Sequence, residues 1–185
     1  MTHVMIDLET LGTGPNALII SIGAVRFNPL VMDDVSDSFH VGVDLASIPA
    51  NAYGFDIEPG TVGWWLNPER AAGRSALEDV AKADLLSVLD GFALWLHELA
   101  FSGDPKIWGN GASFDNVILR NAYEKLGMIA PWQFYNDRCY RTFKNLAPEI
   151  KAVRVGAHHS ALDDALTQTA HMQCIVSYLN LTEVD

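Results

Sequence analysis

The chain opens with a segment that must be buried along its length and charged at its tip. Residues 3–8 run from His3-Val4-Met5-Ile6 into Asp7-Leu8, with Glu9 next, and read as a buried strand. Side chains alternate between the two faces of a strand, so Asp7 and Glu9 share one face and Leu8 enters the core on the other. Two ionised carboxylates held together repel each other, and each raises the other's pKa unless a cation intervenes. Hard divalent cations bound through oxygen are the natural remedy. Read alone, Asp-x-Glu is equally well a polar strand end feeding the turn marked by Gly12, Gly14 and Pro15. Thr10-Leu11-Gly12 adds backbone able to approach a ligand closely.

The rest of the chain supplies a scaffold for this strand. Residues 17–27 are apolar and β-branched, and residues 38–45 alternate through Phe39, Val41 and Val43. Three strands joined by short connections suit an antiparallel meander. Residues 49–60, with their Pro, Gly, Asn and Asp, read as a loop, followed by a short helix carrying Trp64 and Trp65. Leu85, Leu86, Val88, Leu89, Phe92, Leu96 and Leu99 form a helical stripe within residues 76–99. A short strand is expected at 106–109, a helix at 114–126 ended by Gly127, a short helix near 139–147, and a last helix over 161–180. The pattern predicts an α/β fold, a sheet of mixed direction with flanking helices, as a single domain over residues 1–185.

Two further clusters carry chemistry. Ser113-Phe114-Asp115-Asn116 places Asp115 near a helix start. The helix dipole favours a carboxylate there, and an ordinary N-terminal Asp would look the same. His158-His159-Ser160-Ala161-Leu162-Asp163-Asp164-Ala165 is ambiguous, because His158 to Asp163 and His159 to Asp164 have the same spacing. Ser160 followed three residues later by Asp163 resembles a capping box with Asp for Glu. That would occupy Asp163 at the helix start and leave His159 and Asp164 for chemistry, with His158 as an exposed loop residue. Four carboxylates suffice to hold two cations across a phosphodiester. A neutral histidine beside them can accept a proton from water.

Charge limits the alternatives. The formal net charge is −11, which argues against a passive nucleic-acid coat, since phosphate contacts dominate such affinity. It is compatible with a nuclease whose cations supply local positive charge. Arg138, Arg141, Lys144, Lys151 and Arg154 form the one basic concentration, read either as a phosphate track or as ordinary solvated surface. Cys139 and Cys174 make neither a disulfide framework nor a zinc pattern, so two reduced cytosolic thiols are expected. No apolar run is long enough to span a membrane, and the N-terminus has no signal-peptide pattern. A cytoplasmic location follows as an expectation.

The order Asp7, Glu9, Asp115, His159, Asp164 resembles the DEDD exonuclease superfamily in its histidine-bearing DEDDh branch. His159-Ser160-Ala161-Leu162-Asp163-Asp164-Ala165 is similar to that branch's His-x-Ala-x-x-Asp-Ala motif, which independently favours His159 and Asp164. Trp108 to Asp115 and the Trp64-Trp65 pair look closest to phage and bacterial exodeoxyribonuclease VIII-like enzymes and to a mycobacterial exoribonuclease related to ribonuclease T. One departure is Gly111, where many relatives carry Asn; Asn110 stands one place earlier.

The resemblance implies a ribonuclease H-like fold with a central mixed sheet of five strands, the first three antiparallel. It implies a 3′–5′ exonuclease in a bacterial cell or a phage-infected host, with two Mg²⁺ ions, or Mn²⁺ in their place, held by Asp7, Glu9, Asp115 and Asp164. His159 would be the general base. The partner is the 3′ end of DNA or RNA, no membrane is involved, and a homodimer is an expectation drawn from relatives. Thr10, Leu11 and Gly12 are candidate contacts for the terminal sugar and base, and Trp64 and Trp65 candidates for base stacking. Adjacent helical tryptophans point about 100° apart, so at least one of the pair belongs to the core. A non-catalytic binding module on the same fold and a calcium-binding acidic domain are the competing readings. The first should have lost a site residue, and the second should gather its carboxylates in one loop.

Overall fold

A six-stranded mixed sheet is built outward from the strand that carries Asp7 and Glu9. The computed structural model describes residues 2–99 and 104–184. β1 (His3–Thr10) pairs antiparallel with β2 (Ile19–Phe27), which pairs antiparallel with β3 (Val35–Val43). Helices α1 (Pro59–Leu66) and α2 (Ala71–Asp79) follow, then the two-residue β4 (Lys82–Ala83) and α3 (Leu85–Leu99). β5 (Lys106–Gly109) lies parallel to β1 on its other side. α4 (Asp115–Lys125), β6 (Asp137–Cys139), α5 (Tyr140–Lys144) and α6 (Ala161–Tyr178) complete the order. The strands lie in the order β4-β3-β2-β1-β5-β6. Among the described residues no helix is long and apolar enough to cross a membrane.

The expected meander is present, but the sheet has six strands rather than five. Neither Lys82-Ala83 nor Asp137-Arg138-Cys139 has an apolar period, and both join the sheet by short parallel pairing, to β3 and to β5. Around β4, Gly42 N–H donates to Ala81 and Asp44 N–H to Ala83, at 2.9 and 2.8 Å. That pairing also divides the helix expected over 76–99. α3 begins afresh where the Asp84 carboxylate accepts from the Ser87 amide and hydroxyl at 3.1 and 2.6 Å. α4 ends as expected at Gly127, whose N–H donates to Glu124 while Met128 N–H donates to Tyr123, the paired bonds of a Schellman cap.

Alternation along β1 separates two cores. Val4, Ile6 and Leu8 pack with Ile22, Ala24 and the inner faces of α3 and α4, including Leu89, Phe92, Ile118 and Leu119. Met5 faces the other side, with Val25, Phe27, Trp108 and, from α6, Ala165, Met172 and Val176. Each of these large apolar side chains contributes about 1.5–3 kcal/mol on burial. Asp7 and Glu9 continue the Met5 series, which brings them to the α6 face at the strand's C-terminal end. α6 reaches them because β2 has glycine opposite Asp7. A Cβ at Gly23 would lie 2.2 Å from the carbonyl carbon of Ala161 and 2.3 Å from Leu162 N, so any side chain there would lift the first turn of α6 off the sheet.

Candidate active site

Four carboxylates from three distant segments meet at the end of β1. Asp7 and Glu9 come from the strand. Asp164 is in the first turn of α6, directly above them. Asp115 opens α4, on the other side of the sheet, and reaches the strand end by accepting the Leu8 N–H on Oδ1 at 3.3 Å. Its Oδ2 is buried without a partner. Asp164 accepts the His159 N–H on Oδ2 at 3.0 Å, and its Oδ1 is paired with the Arg154 guanidinium. Ligand atoms of Glu9, His159 and Asp164 lie within 4.8 Å of one another. A cavity of about 540 Å³ opens over the group, lined by Asp7, Glu9, His159, Asp164 and Gln168.

Burial and mutual repulsion define the electrostatics. Asp7 is raised well above its ordinary 3.8, first by burial, then by Asp115, Glu9 and Asp164. Glu9 is pushed from 4.5 to about 8 by burial, then by Asp164 and Asp115, with Arg154 opposing. Asp115 is pushed from 3.8 to about 7 by burial, against backbone hydrogen bonds and Arg141. Such a group resists ionising unless positive charge is brought to it. Its oxygen donors, the orphaned Asp115 Oδ2 and the close Glu9–His159–Asp164 trio fit a hard divalent cation. His159 is lowered below 6.5, chiefly by burial, which keeps it neutral and able to accept a proton.

The capping box expected at Ser160 does not form. Ser160 is the N-cap by backbone, but its side chain makes no capping bond, and Asp163 Oδ2 instead accepts the Ala157 N–H at 2.8 Å. His159 and not His158 meets the carboxylates because of a backbone feature. His159 has φ +62, and its own N–H is tied to Asp164. His158 is exposed.

The expected substrate contacts divide. Thr10 and Gly12 line the cavity, with the Thr10 hydroxyl donating to the Gly12 carbonyl at 2.7 Å. Leu11 packs against the larger core instead, its N–H donating to Leu18. Trp65 is buried and also borders the cavity, and its indole N–H donates to the Thr10 carbonyl at 2.9 Å, which braces the strand end. Trp64 is 37% exposed, but Arg70 lies over its ring at 4.6 Å and the His159 ring meets it edge-on. The basic stretch is not a single track. Arg154 binds Asp164, Arg141 donates to the Asn110 carbonyl, and Lys151 donates to Pro148.

Gln168, Asn110 and Arg154 are among the residues absent from the expected site that line it or touch it. Gln168 donates from Nε2 to Asp7 Oδ1 at 2.7 Å. Its position four residues after Asp164, on the same helical face, was the available signal. Asn110 lines the cavity with its Oδ1 buried and unpartnered. Arg154 enters from an irregular loop, and nothing local in the sequence distinguishes it from the other basic residues.

The 3′-5′ exoribonuclease Rv2179c-like domain model matches residues 2–176. An exodeoxyribonuclease of Enterobacteria phage T4 is 27% identical over 163 residues, covering 77% of this chain and 70% of the relative. Among solved structures, the nuclease domain of 3′hExo, a DEDDh family member bound to rAMP, superposes with TM-score 0.63 at 13% identity, over 96% of this chain and 92% of that one. S. pombe Pop2p in its Mg²⁺- and Mn²⁺-bound form gives 0.62 at 12% identity, over 99% and 86%. E. coli Exonuclease I in complex with an oligonucleotide gives 0.58 at 19%, over 95% of this chain and 40% of that one. At these identities the solved structures speak to the fold.

Proposed function

The chain belongs to the Rv2179c-like 3′–5′ exoribonuclease domain family and is a 3′–5′ exonuclease, and from that premise we propose that residues 1–185 act as one domain releasing 5′-mononucleotides from a single strand or a 3′ overhang by two-metal hydrolysis. The observation that carries the reading is the convergence of Asp7, Glu9, Asp115 and Asp164 beside His159, with Asp115 Oδ2 buried and unpartnered.

Asp7, Glu9, Asp115 and Asp164 would hold the cations, Mg²⁺ or in its place Mn²⁺. When bound, these ions supply the positive charge that favours ionisation of the attacking water and stabilises the departing 3′-oxygen. The protein's own groups do the rest. His159, kept neutral by burial, accepts the proton of the attacking water. Asp164 fixes the His159 backbone, and Gln168 fixes the Asp7 carboxylate. Thr10 and Gly12 border the space for the terminal nucleotide, and Trp64 forms its rim.

The sugar of the substrate is the open choice between two names, since the family is described as exoribonuclease and the T4 relative as exodeoxyribonuclease. Reading the 2′-hydroxyl is what separates them. A digestion panel decides. Purified protein is given 3′- and 5′-labelled RNA, single-stranded DNA and DNA with a 3′ overhang, in Mg²⁺, in Mn²⁺ and in chelator. Release of 5′-mononucleotides from the 3′ end, abolished by chelator and by Asp7→Ala, is expected. Full activity in chelator, or activity unchanged in Asp7→Ala, would overturn the proposal.

A further inference from the structure

The segment carrying α1 and α2 is not needed to complete the sheet, yet Gly73, Trp64 and, at a ring-centroid distance of 6.3 Å, Trp65 all meet one residue, His159. Of the nine residues described in α2, only Gly73 is buried, and it is buried against the His158–His159 backbone. A Cβ at Gly73 would fall 2.8 Å from His159 Cβ and 3.2 Å from each of the His158 and His159 carbonyl oxygens. Real Cβ atoms essentially never come as close as the 2.8 Å to His159 Cβ, the two oxygen contacts are tight as well, and none of the three neighbours is the end of a flexible side chain. Gly73 is therefore a notch into which the His159 turn fits.

The turn itself is strained. His159 has φ +62, a left-handed conformation that a residue with a Cβ adopts only when its surroundings demand it. From α1, Trp64 sets its ring edge-to-face with the imidazole, centroids 4.7 Å apart at 86°. Trp64 is held in turn, by Arg70 over its ring at 4.6 Å and by Trp65, T-shaped at 5.1 Å. Trp65 is anchored to β1 through Thr10, and Arg74 of α2 donates to the Asn67 carbonyl at 2.8 Å, tying the two helices together.

We propose that residues 59–79 form a clamp that sets the place of the His159 imidazole over the carboxylates, with Gly73 and Trp64 as its positioning residues. The inference rests on the reading of His159 as the proton acceptor. Neither residue touches the reacting atoms. Gly73 fixes the backbone of His159 and Trp64 fixes its ring, so the two hold the imidazole at one orientation.

The test compares Gly73→Ala, Trp64→Leu and the control Gly63→Ala, whose added Cβ meets nothing within 4 Å. A small misplacement of a catalytic group can cost about 100-fold in rate, so Gly73→Ala should lower kcat at least about tenfold with KM and calorimetric Mn²⁺ affinity within about twofold of wild type. In this variant the carbon-bound imidazole protons of His159, which lie in the ring current of Trp64, should shift in the NMR spectrum. Trp64→Leu should abolish the same ring-current shift and lower kcat, with Mn²⁺ affinity kept, and Gly63→Ala should do neither. Wild-type kcat in Gly73→Ala with the His159 resonances unmoved overturns the clamp. So does a fall in kcat matched by an equal fall in Mn²⁺ affinity, since the carboxylates would then have moved as well. Unchanged kcat in His159→Ala would instead sink the functional reading, while the imidazole shifts would still decide whether the clamp exists.

Discussion

The Gln168 amide donates to Asp7 Oδ1 at 2.7 Å, across 161 residues of sequence and between α6 and the central strand. This bond links the last helix to the first carboxylate of the site and fixes which oxygen of Asp7 remains for a ligand. Gln168 Oε1 is buried without a protein partner, so the side chain is committed to the site rather than to the core. Gln168→Leu removes the donor and keeps comparable bulk. Loss of a group that orients a metal ligand typically costs about 10–100-fold in metal affinity or activity. Mn²⁺ titration calorimetry and kcat on the same preparation should both fall within that range, and wild-type values would show that Asp7 needs no such support.

Stability in chelator should fall as pH rises. Burial and neighbouring carboxylates push Glu9 up from 4.5 to about 8, and burial pushes Asp115 up from 3.8 to about 7. The folded state therefore binds more protons than the unfolded state between about pH 4 and 8, and unfolding free energy decreases with pH across that window. The stabilising contribution of these carboxyls is fully present below about pH 4 and is lost as pH passes the folded values. Urea midpoints measured every half pH unit in chelator would show the decline. A midpoint that rises steadily over the same window would contradict the burial and repulsion described for these groups.

Arg154 and a divalent cation would claim the same oxygen of Asp164. Arg154→Met should therefore tighten Mn²⁺ binding, by about threefold to tenfold if the competing pair is worth on the order of 1 kcal/mol. In chelator the same variant should melt at a lower temperature, because Asp164 and Glu9 lose their nearest positive charge. Weaker Mn²⁺ binding in Arg154→Met would mean that the guanidinium assists loading instead of opposing it.

Asp115→Asn should separate activity from stability. It removes one of the four charges, and catalysis should drop by about 100-fold or more if the cation pair is the largest source of charge stabilisation. The same change relieves repulsion on Asp7, so at pH 8 in chelator the variant should melt above wild type. Retained activity would remove Asp115 from the site. A large loss of stability would mean that its bond to Leu8 N–H matters more than its charge.

Some of this molecule follows from local rules. The same-face placement of Asp7 and Glu9, the core assignment of Leu8, the meander of the first three strands and the helical cap at Gly127 depend on period and backbone conformation, which short segments carry within themselves. His159 and Asp164, rather than His158 and Asp163, lie beside Glu9, although the capping box that favoured them does not form.

The amino-acid sequence on its own determined which residue types stand at strand ends and helix starts, and hence which carboxylates were available to meet. Tertiary structure alone decided the two short strands that extend the sheet, the entry of Arg154, the support of Asp7 by Gln168, and the fit of His159 against Gly73. Periodicity is a property of neighbouring residues. Backbone pairing at a sheet edge, close approach at a glycine and the meeting of charges more than a hundred residues apart depend on where the rest of the chain has packed.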